Sequence, residues 1–314
     1  MSEPANAIQA VGLSKLYGRT LVIDNLNFSV PKGEVVCVLG PSGSGKTTLV
    51  GLLAGIIKAS KGKALIAGID ISKRGGKIER KIGVVSDLVQ IYDDLSVERN
   101  LILYARLFGL KSSASKEKAD EVISLLELES KRKKLCKELS SGIRKKVLIG
   151  SAIVHEPEVL LFDEPTAGLD PHDALIVRNY VSSISHSGRT VLWTTNVLSE
   201  AERICRRMLI LASGRIIADD EPKRFTRGIA GTGSVEIFLS GIKAENMADI
   251  FGSIGISWEK TDDNKVRLIV DNEGETLDRV FTLIGRMGAS IISVGSRMPT
   301  LEEAYLQVTG EVKR

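Results

Sequence analysis

The sequence predicts an α/β protein in two unequal domains, the larger organised on a phosphate-binding loop. Three features lead there. The apolar run Val35–Leu39, long enough for one buried strand, enters the stretch Gly40-Pro41-Ser42-Gly43-Ser44-Gly45-Lys46-Thr47, and residues 48–57 follow with the length of a helix. A second apolar run, residues 159–162, closes on the adjacent carboxylates Asp163 and Glu164. After residues 221–234 the alternation of apolar and polar positions begins afresh, so a smaller domain ends the chain.

The 314 residues suffice for a full core without disulfide staples. Lys and Arg total 43 against 39 Asp and Glu, a net +4 that does not argue for nucleic acid or an anionic membrane as partner. Cys37, Cys136 and Cys205 form neither a disulfide framework nor a metal spacing, and they read as core filler in a reducing compartment. The start, Met1-Ser2-Glu3-Pro4, lacks a basic region followed by an apolar stretch, and no run approaches the roughly 18 apolar residues of a membrane span. A cytoplasmic chain with no membrane segment of its own is expected.

In chain order, residues 8–11, 21–23 and 26–30 read as short strands separated by polar turns, and Pro31-Lys32-Gly33 turns the chain into Val35–Leu39. In the loop that follows, glycines let backbone N–H groups converge on phosphate oxygens and the helix start adds partial positive charge. Lys46 reaches the outer phosphates and the Thr47 hydroxyl can ligate Mg²⁺. Gly40, Pro41, Ser42, Gly43, Ser44, Gly45, Lys46, Thr47 and Thr48 are therefore the candidate triphosphate ligands. Residues 62–71 alternate as a strand pair, and residues 82–85 form a short buried strand ending at Ser86-Asp87. From about 96 to 157 the texture is helical, with Ala119, Val122, Ile123 and Leu126 on i, i+3, i+4 spacing. Lys131-Arg132-Lys133-Lys134 reads as a solvated helix end.

The strand at 159–162 delivers Asp163 where it can hold the Mg²⁺ of a nucleotide, and Glu164 can polarise a water for attack on the γ-phosphate. Residues 191–195 form a further buried strand ending at Asn196, and residues 208–211 lead to 214–217. Pro222 and glycines at 228, 231 and 233 mark a linker. Beyond it, strands at 235–239, 256–259, 266–270 and 291–294 alternate with helices at 244–251 and 275–287. This βαββαβ order suggests a small ferredoxin-like domain.

Together these motifs resemble the ATP-binding subunits of ABC transporters over roughly residues 7–220. Leu139-Ser140-Ser141-Gly142-Ile143 resembles the ABC signature, LSGGQ in its common form, with Ser141 at the first glycine and Ile143 at the glutamine; this variant is similar to the drug-export branch. The resemblance implies that Ser140, Ser141 and Gly142 face the γ-phosphate of a partner subunit. It also matches Tyr17 to the aromatic that stacks on adenine, residues 165–170 to the D-loop, and residues 299–310 to the tail of the drug-export branch. The implied fold is a P-loop NTPase core of the ABC ATPase type at 1–224, with a helical subdomain inserted at about 96–157, a linker at 225–233 and a C-terminal α/β domain at 234–314.

Two positions depart from the pattern. Asp87 stands where the glutamine of the Q-loop belongs, with Gln90 close by as a second placement, and a carboxylate there can still bind Mg²⁺. Asn196 replaces the usual histidine; its amide can donate a hydrogen bond to the γ-phosphate but cannot carry a proton, which predicts slow hydrolysis by Glu164 and Asn196. By resemblance, two such chains, identical or in a heterodimer, sandwich two ATP molecules and move a separate transmembrane permease on the inner face of the cell membrane, exporting a compound. The other reading is a soluble ABC ATPase acting as a nucleotide-dependent switch on nucleic acid or a ribosome. Members of that kind generally carry two ATPase copies or long coiled coils, and neither stands in this sequence.

Overall fold

The structure, a computed structural model, describes residues 6–72, 78–185, 187–230, 234–240, 257–262, 265–269, 273–286, 290–297 and 299–312. It divides into two compact units, Met1–Asp220 and Glu221–Arg314.

The first unit opens with two long paired strands, β1 (Asn6–Tyr17) and β2 (Thr20–Pro31). The expected turn between residues 21–23 and 26–30 is absent. The strand instead absorbs the polar Asp24-Asn25 pair as an irregularity in the ladder, with Asn25 at φ 51° and Gly12 at φ 58°. Side chains take over the displaced ladder bonds there: Gly12 N–H donates to Asn27 Oδ1 at 2.8 Å and Asn25 N–H to Ser14 Oγ at 3.0 Å. With β4 (Lys61–Ile66) and β5 (Ile69–Asp70) these strands form a sheet ordered β2-β1-β4-β5.

The second sheet contains β3 (Val35–Leu39), β6 (Ile82–Val85), β7 (Val159–Asp163), β8 (Thr190–Thr195), β9 (Arg207–Ala212) and β10 (Arg215–Asp220). Its order is β10-β9-β3-β8-β7-β6, parallel except where β10 pairs antiparallel with β9. Strands β3, β7 and β8 are buried at every position, which is why they read as unbroken apolar runs. Because β3 and β7 flank β8 in parallel, the residues after their C-terminal ends, Gly40 and Glu164, emerge on one edge of the sheet.

Helix α1 (Lys46–Leu53) packs Leu49, Val50, Leu52 and Leu53 among Val36, Leu161 and Leu209 of this sheet and Ile8, Leu13 and Ile23 of the first. Each such fully buried aliphatic side chain contributes about 1.5–3 kcal/mol. The helix stops before residue 57 because Gly55 takes the left-handed conformation at φ 69°, and Ile57 N–H donates back to Gly51 O at 2.9 Å. Elsewhere in the sheet Cys37, Phe162, Trp193 and Met208 stand in one register row. Trp193 is wholly buried, 6.0 Å from Phe162 between ring centroids, and its indole N–H has no partner among the described residues.

The helical insertion holds α2 (Val97–Leu107), α3 (Ser112–Leu125) and α4 (Ser141–Ile153). Ser96 caps α2 by accepting from Arg99 N–H at 3.3 Å, and the apolar face of α3 is buried as its spacing predicts. Arg132 does not sit in a solvated helix end: its guanidinium pairs with Glu98 of α2 at 2.6 Å and with Asp120 of α3, tying the two helices together. Just past α4, buried His155 donates from Nε2 to Ile82 O at 3.0 Å and stacks on Phe108 at 4.1 Å. Helices α5 (Pro171–Ser185) and α6 (Leu198–Ile204) complete the unit.

In the second unit, part of the expected linker is helix α7 (Pro222–Ala230), with Phe225 buried. Pro222 is at its first position, where the missing N–H costs no helical bond, so the proline starts this segment and does not break it. Strands β11 (Ser234–Ser240), β12 (Ser257–Asp262), β13 (Lys265–Ile269) and β14 (Ser290–Arg297) form an antiparallel sheet ordered β12-β13-β11-β14. Helix α8 (Glu273–Arg286) precedes β14; the helix expected at 244–251 lies outside the described residues. Helix α9 (Leu301–Val312) begins with a reciprocal cap between Thr300 and Glu303 and packs on α7. Among the described residues, no helix is long and apolar enough to cross a membrane.

Candidate active site

At the shared edge of the parallel sheet lies a cleft of about 620 Å³ lined by Val22, Ser42, Gly43, Gly45, Lys46, Thr47, Thr48, Asp87, Ser141, Lys145, Asp163, Glu164, Ala167 and Gly168. Two glycines are required for its floor. A Cβ on Gly40 would fall 2.3 Å from Leu211 O, and Gly45, at φ 108°, would place one 2.7 Å from Ile23 Cδ1. Lys46, 5 % exposed, donates from Nζ to Gly40 O at 2.9 Å and Pro41 O at 3.1 Å and lies 3.2 Å from Glu164 Oε1. Its charge is held at the loop by groups that a phosphate can replace. Ser44 Oγ is buried with no partner among the described residues.

Asp163 ends β7 and is 6 % exposed; its Oδ1 accepts from Thr194 Oγ1 at 2.7 Å and its Oδ2 from Ser86 Oγ at 3.2 Å. Two neutral hydroxyls orient the carboxylate without neutralising it. With the Thr47 hydroxyl and Asp87 in the same cleft, the donor set is hard oxygen, which fits Mg²⁺ carried with a triphosphate. Among the described residues no group of three or more His, Cys, Asp or Glu could hold a metal ion. Glu164 adopts φ 44°, a strained conformation for a residue with a Cβ, and its N–H is anchored to both Thr194 O at 3.1 Å and Thr194 Oγ1 at 3.2 Å. The turn aims its half-exposed carboxylate into the cleft.

Glu200 was not legible as a site residue. It is buried in α6, accepting from Thr166 Oγ1 at 2.6 Å and Thr195 Oγ1 at 2.8 Å, with Arg178 of α5 at 3.4 Å. It thus joins the loop after Glu164 to the end of β8. In sequence it is one more acid in the first turn of a helix, and only the fold brings its partners to it.

The remaining candidates are placed unevenly. Ser140 caps α4, its Oγ accepting from Ile143 N–H at 3.5 Å, and Gly142 packs beside Gly168, whose carbonyl a Cβ would meet at 3.3 Å. Ser141 lines the cleft of its own chain, beside the P-loop. Asp87 lines it as well; Gln90 does not, and Gln90 O accepts from Tyr104 Oη. Tyr17 and Asn196 are exposed and lie outside the cleft lining, Tyr17 beneath the Lys15 ammonium at 4.8 Å.

The ABC transporter family matches residues 23–167. Nod factor export ATP-binding protein I of Cupriavidus metallidurans is 30 % identical over 312 residues, covering 98 % of this chain and 98 % of that protein. The linearmycin resistance ATP-binding protein LnrL of Bacillus subtilis is 28 % identical over 311 residues, covering 98 % of this chain and 99 % of its own. Among solved structures, an ATP binding subunit of an ABC transporter superposes with a TM-score of 0.67 at 26 % identity, over 71 % of this chain and 93 % of that chain. CbiO1 of Clostridium perfringens, part of an ABC transporter complex, superposes with a TM-score of 0.61 at 27 % identity, over 70 % and 90 %.

Proposed function

Because this chain belongs to the ABC transporter family, we propose that it binds and hydrolyses ATP to power export of a compound through a separate membrane subunit. The observation that carries the reading is the convergence of Lys46, Asp163 and Glu164 on one cleft, with Lys46 held by the carboxylate that the chemistry needs. Arrival of the triphosphate draws Lys46 onto phosphate oxygens and frees Glu164 Oε1. Glu164 then accepts a proton from water as the water oxygen attacks the γ-phosphorus and the bond to the β-phosphate oxygen breaks, leaving ADP and inorganic phosphate. Mg²⁺, held through the Thr47 hydroxyl and Asp163 with Asp87 beside them, supplies charge neutralisation on the phosphates. Thr194 and Ser86 hold the Asp163 carboxylate in place throughout.

Two chains pair so that Ser140, Ser141 and Gly142 of one close over the nucleotide of the other, and Tyr17 stacks on adenine. The pair sits on the inner face of the membrane against its permease. The export direction is suggested by relatives named for Nod factor export and linearmycin resistance. Nucleotide affinity and phosphate release test the site. Lys46→Ala is expected to lose ATP binding, and Glu164→Gln to keep binding while turnover falls about 10²-fold or more. Turnover near the parent level in Glu164→Gln would place the catalytic carboxylate elsewhere.

A further inference from the structure

The strained turn at Glu164 is fastened on both sides. On the strand side the tie is Thr194: its hydroxyl donates to Asp163 Oδ1 at 2.7 Å, and its carbonyl accepts from Glu164 N–H at 3.1 Å. On the far side Thr166 donates from Oγ1 to Glu200 Oε1 at 2.6 Å, and Thr195 donates from Oγ1 to Glu200 Oε2 at 2.8 Å. The two oxygens of one buried carboxylate thus join residue 166 to residue 195, the neighbour of the threonine that holds 163 and 164. The turn is clamped at consecutive residues of β8, once before Glu164 leaves the strand and once after.

The far clamp is set by the scaffold. Thr195 ends β8, its carbonyl accepts from Gly40 N–H of the P-loop at 3.3 Å, and its hydroxyl accepts from Val197 N–H at 3.0 Å. Arg178 of α5 lies 3.4 Å from Glu200 Oε1. Of the side chains in this group, only the half-buried Thr166 belongs to the turn itself. Between it and Glu164 stands buried Pro165, whose ring fixes its own φ, and Ala167 N–H donates back to Glu164 O at 3.1 Å. So short and stiff a segment carries a displacement at 166 back to 164. A residue with a Cβ keeps a left-handed backbone only where its surroundings over-determine it, and the bond from Thr166 supplies part of that determination.

We propose that Thr166 is a positioning residue for Glu164: its hydroxyl bond to Glu200 holds the turn that aims the Glu164 carboxylate into the cleft. Thr166 is not among the residues lining the cleft, so its effect reaches the phosphate through the turn. The inference rests on the reading of Glu164 as the proton acceptor and adds the residue that keeps it in place. A bond that served stability alone would alter the folded fraction and leave the kcat of folded molecules as it was.

The test measures kcat, KM and thermal midpoint of the full chain with Thr166→Val, which keeps the shape without the donor, and with Thr166→Ser, which keeps the hydroxyl. Both are also made in Glu164→Gln. Thr166→Val is expected to lower kcat about tenfold or more with KM within about twofold, and Thr166→Ser to restore most of the loss. In Glu164→Gln, where the carboxylate is already gone, Thr166→Val is expected to change the remaining turnover by less than about twofold. Unchanged kcat in Thr166→Val, or the same loss in both backgrounds, overturns the proposal. Pairing of chains on ATP, followed by size exclusion in Glu164→Gln, is expected to survive Thr166→Val; its loss overturns the proposal by assigning Thr166 to the contact between chains. Thr166→Ala is read in the same way should Thr166→Val fail to fold. Turnover near the parent level in Glu164→Gln alone defeats the reading of Glu164 and the proposal with it, whereas an equal loss in both backgrounds leaves that reading standing.

Discussion

Glu164 holds a backbone conformation that costs of order 1 kcal/mol or more, and two bonds to Thr194 keep it there. The strain is local to the residue assigned the proton transfer, so the geometry of that carboxylate is set by the strand end and not by its own rotamer. Asn196 raises the opposite issue. It supplies no charge and stands outside the cleft of a single chain. If paired chains bring residue 196 to the γ-phosphate, Asn196→His raises kcat with little change in KM, because added charge acts mainly on the transition state. Asp87→Gln is combined with it, since Asp87 lines the same cleft and the two changes can couple. No gain in kcat with or without Asp87→Gln shows that this position does not serve the phosphate. The P-loop, Asp163 and Glu164 were legible because each is contiguous with the apolar run that places it. Glu200 was not, because its bond to Thr166 spans 34 residues of sequence.

At the scale of elements, Glu200 fastens the start of α6 to the loop after β7 and to the end of β8. Glu200→Ala removes an acceptor shared by two hydroxyls and leaves Arg178 without its carboxylate. It is expected to cost about 1–3 kcal/mol of stability and to lower kcat more than it raises KM. Glu200→Gln, which keeps an acceptor oxygen, recovers part of both; a kcat unchanged in Glu200→Ala would make the residue purely structural. His155 makes the packing of β6 against α2 sensitive to acid. Burial pushes its pKa down from 6.5 to about 4, so the unfolded chain takes up the proton first. The stability it contributes is complete above about pH 6.5 and is lost as the pH falls to about 4, a change of about 3 kcal/mol. Denaturant unfolding at pH 7 and 4.5 checks this: His155→Leu should show a shallower decline than the parent, and equal slopes would remove His155 as the cause. Strands with continuous apolar runs were readable in sequence. The long β2 was not, because its polar Asp24-Asn25 pair looks like a turn, and side chains of Asn27 and Ser14 repair the ladder only in three dimensions. Helix α7 was hidden by the same ambiguity, its proline marking a beginning as readily as an end.

At the scale of the whole molecule, the residues lining the candidate cleft all belong to the unit Met1–Asp220, and α7 belongs to the other. A chain ending at Asp220 is expected to fold and to show a thermal shift with Mg-ATP comparable to the full chain, whereas a cut near Phe225 would strand part of α7 and expose its buried ring. A folded truncation without that shift would mean that the second unit helps to build the site. The sequence contains two tryptophans, and they fall one to each unit: Trp193 in β8 and Trp258 in β12. Trp193 lies buried in the sheet interior, its N–H without a partner among the described residues and its ring beside Phe162, the residue before Asp163. Such an indole emits at the blue end of the tryptophan range, so a Trp258→Phe chain carries a single tryptophan, in the strand beside the one that leads into the P-loop, and the protein can report optically on its own ATPase core without a label.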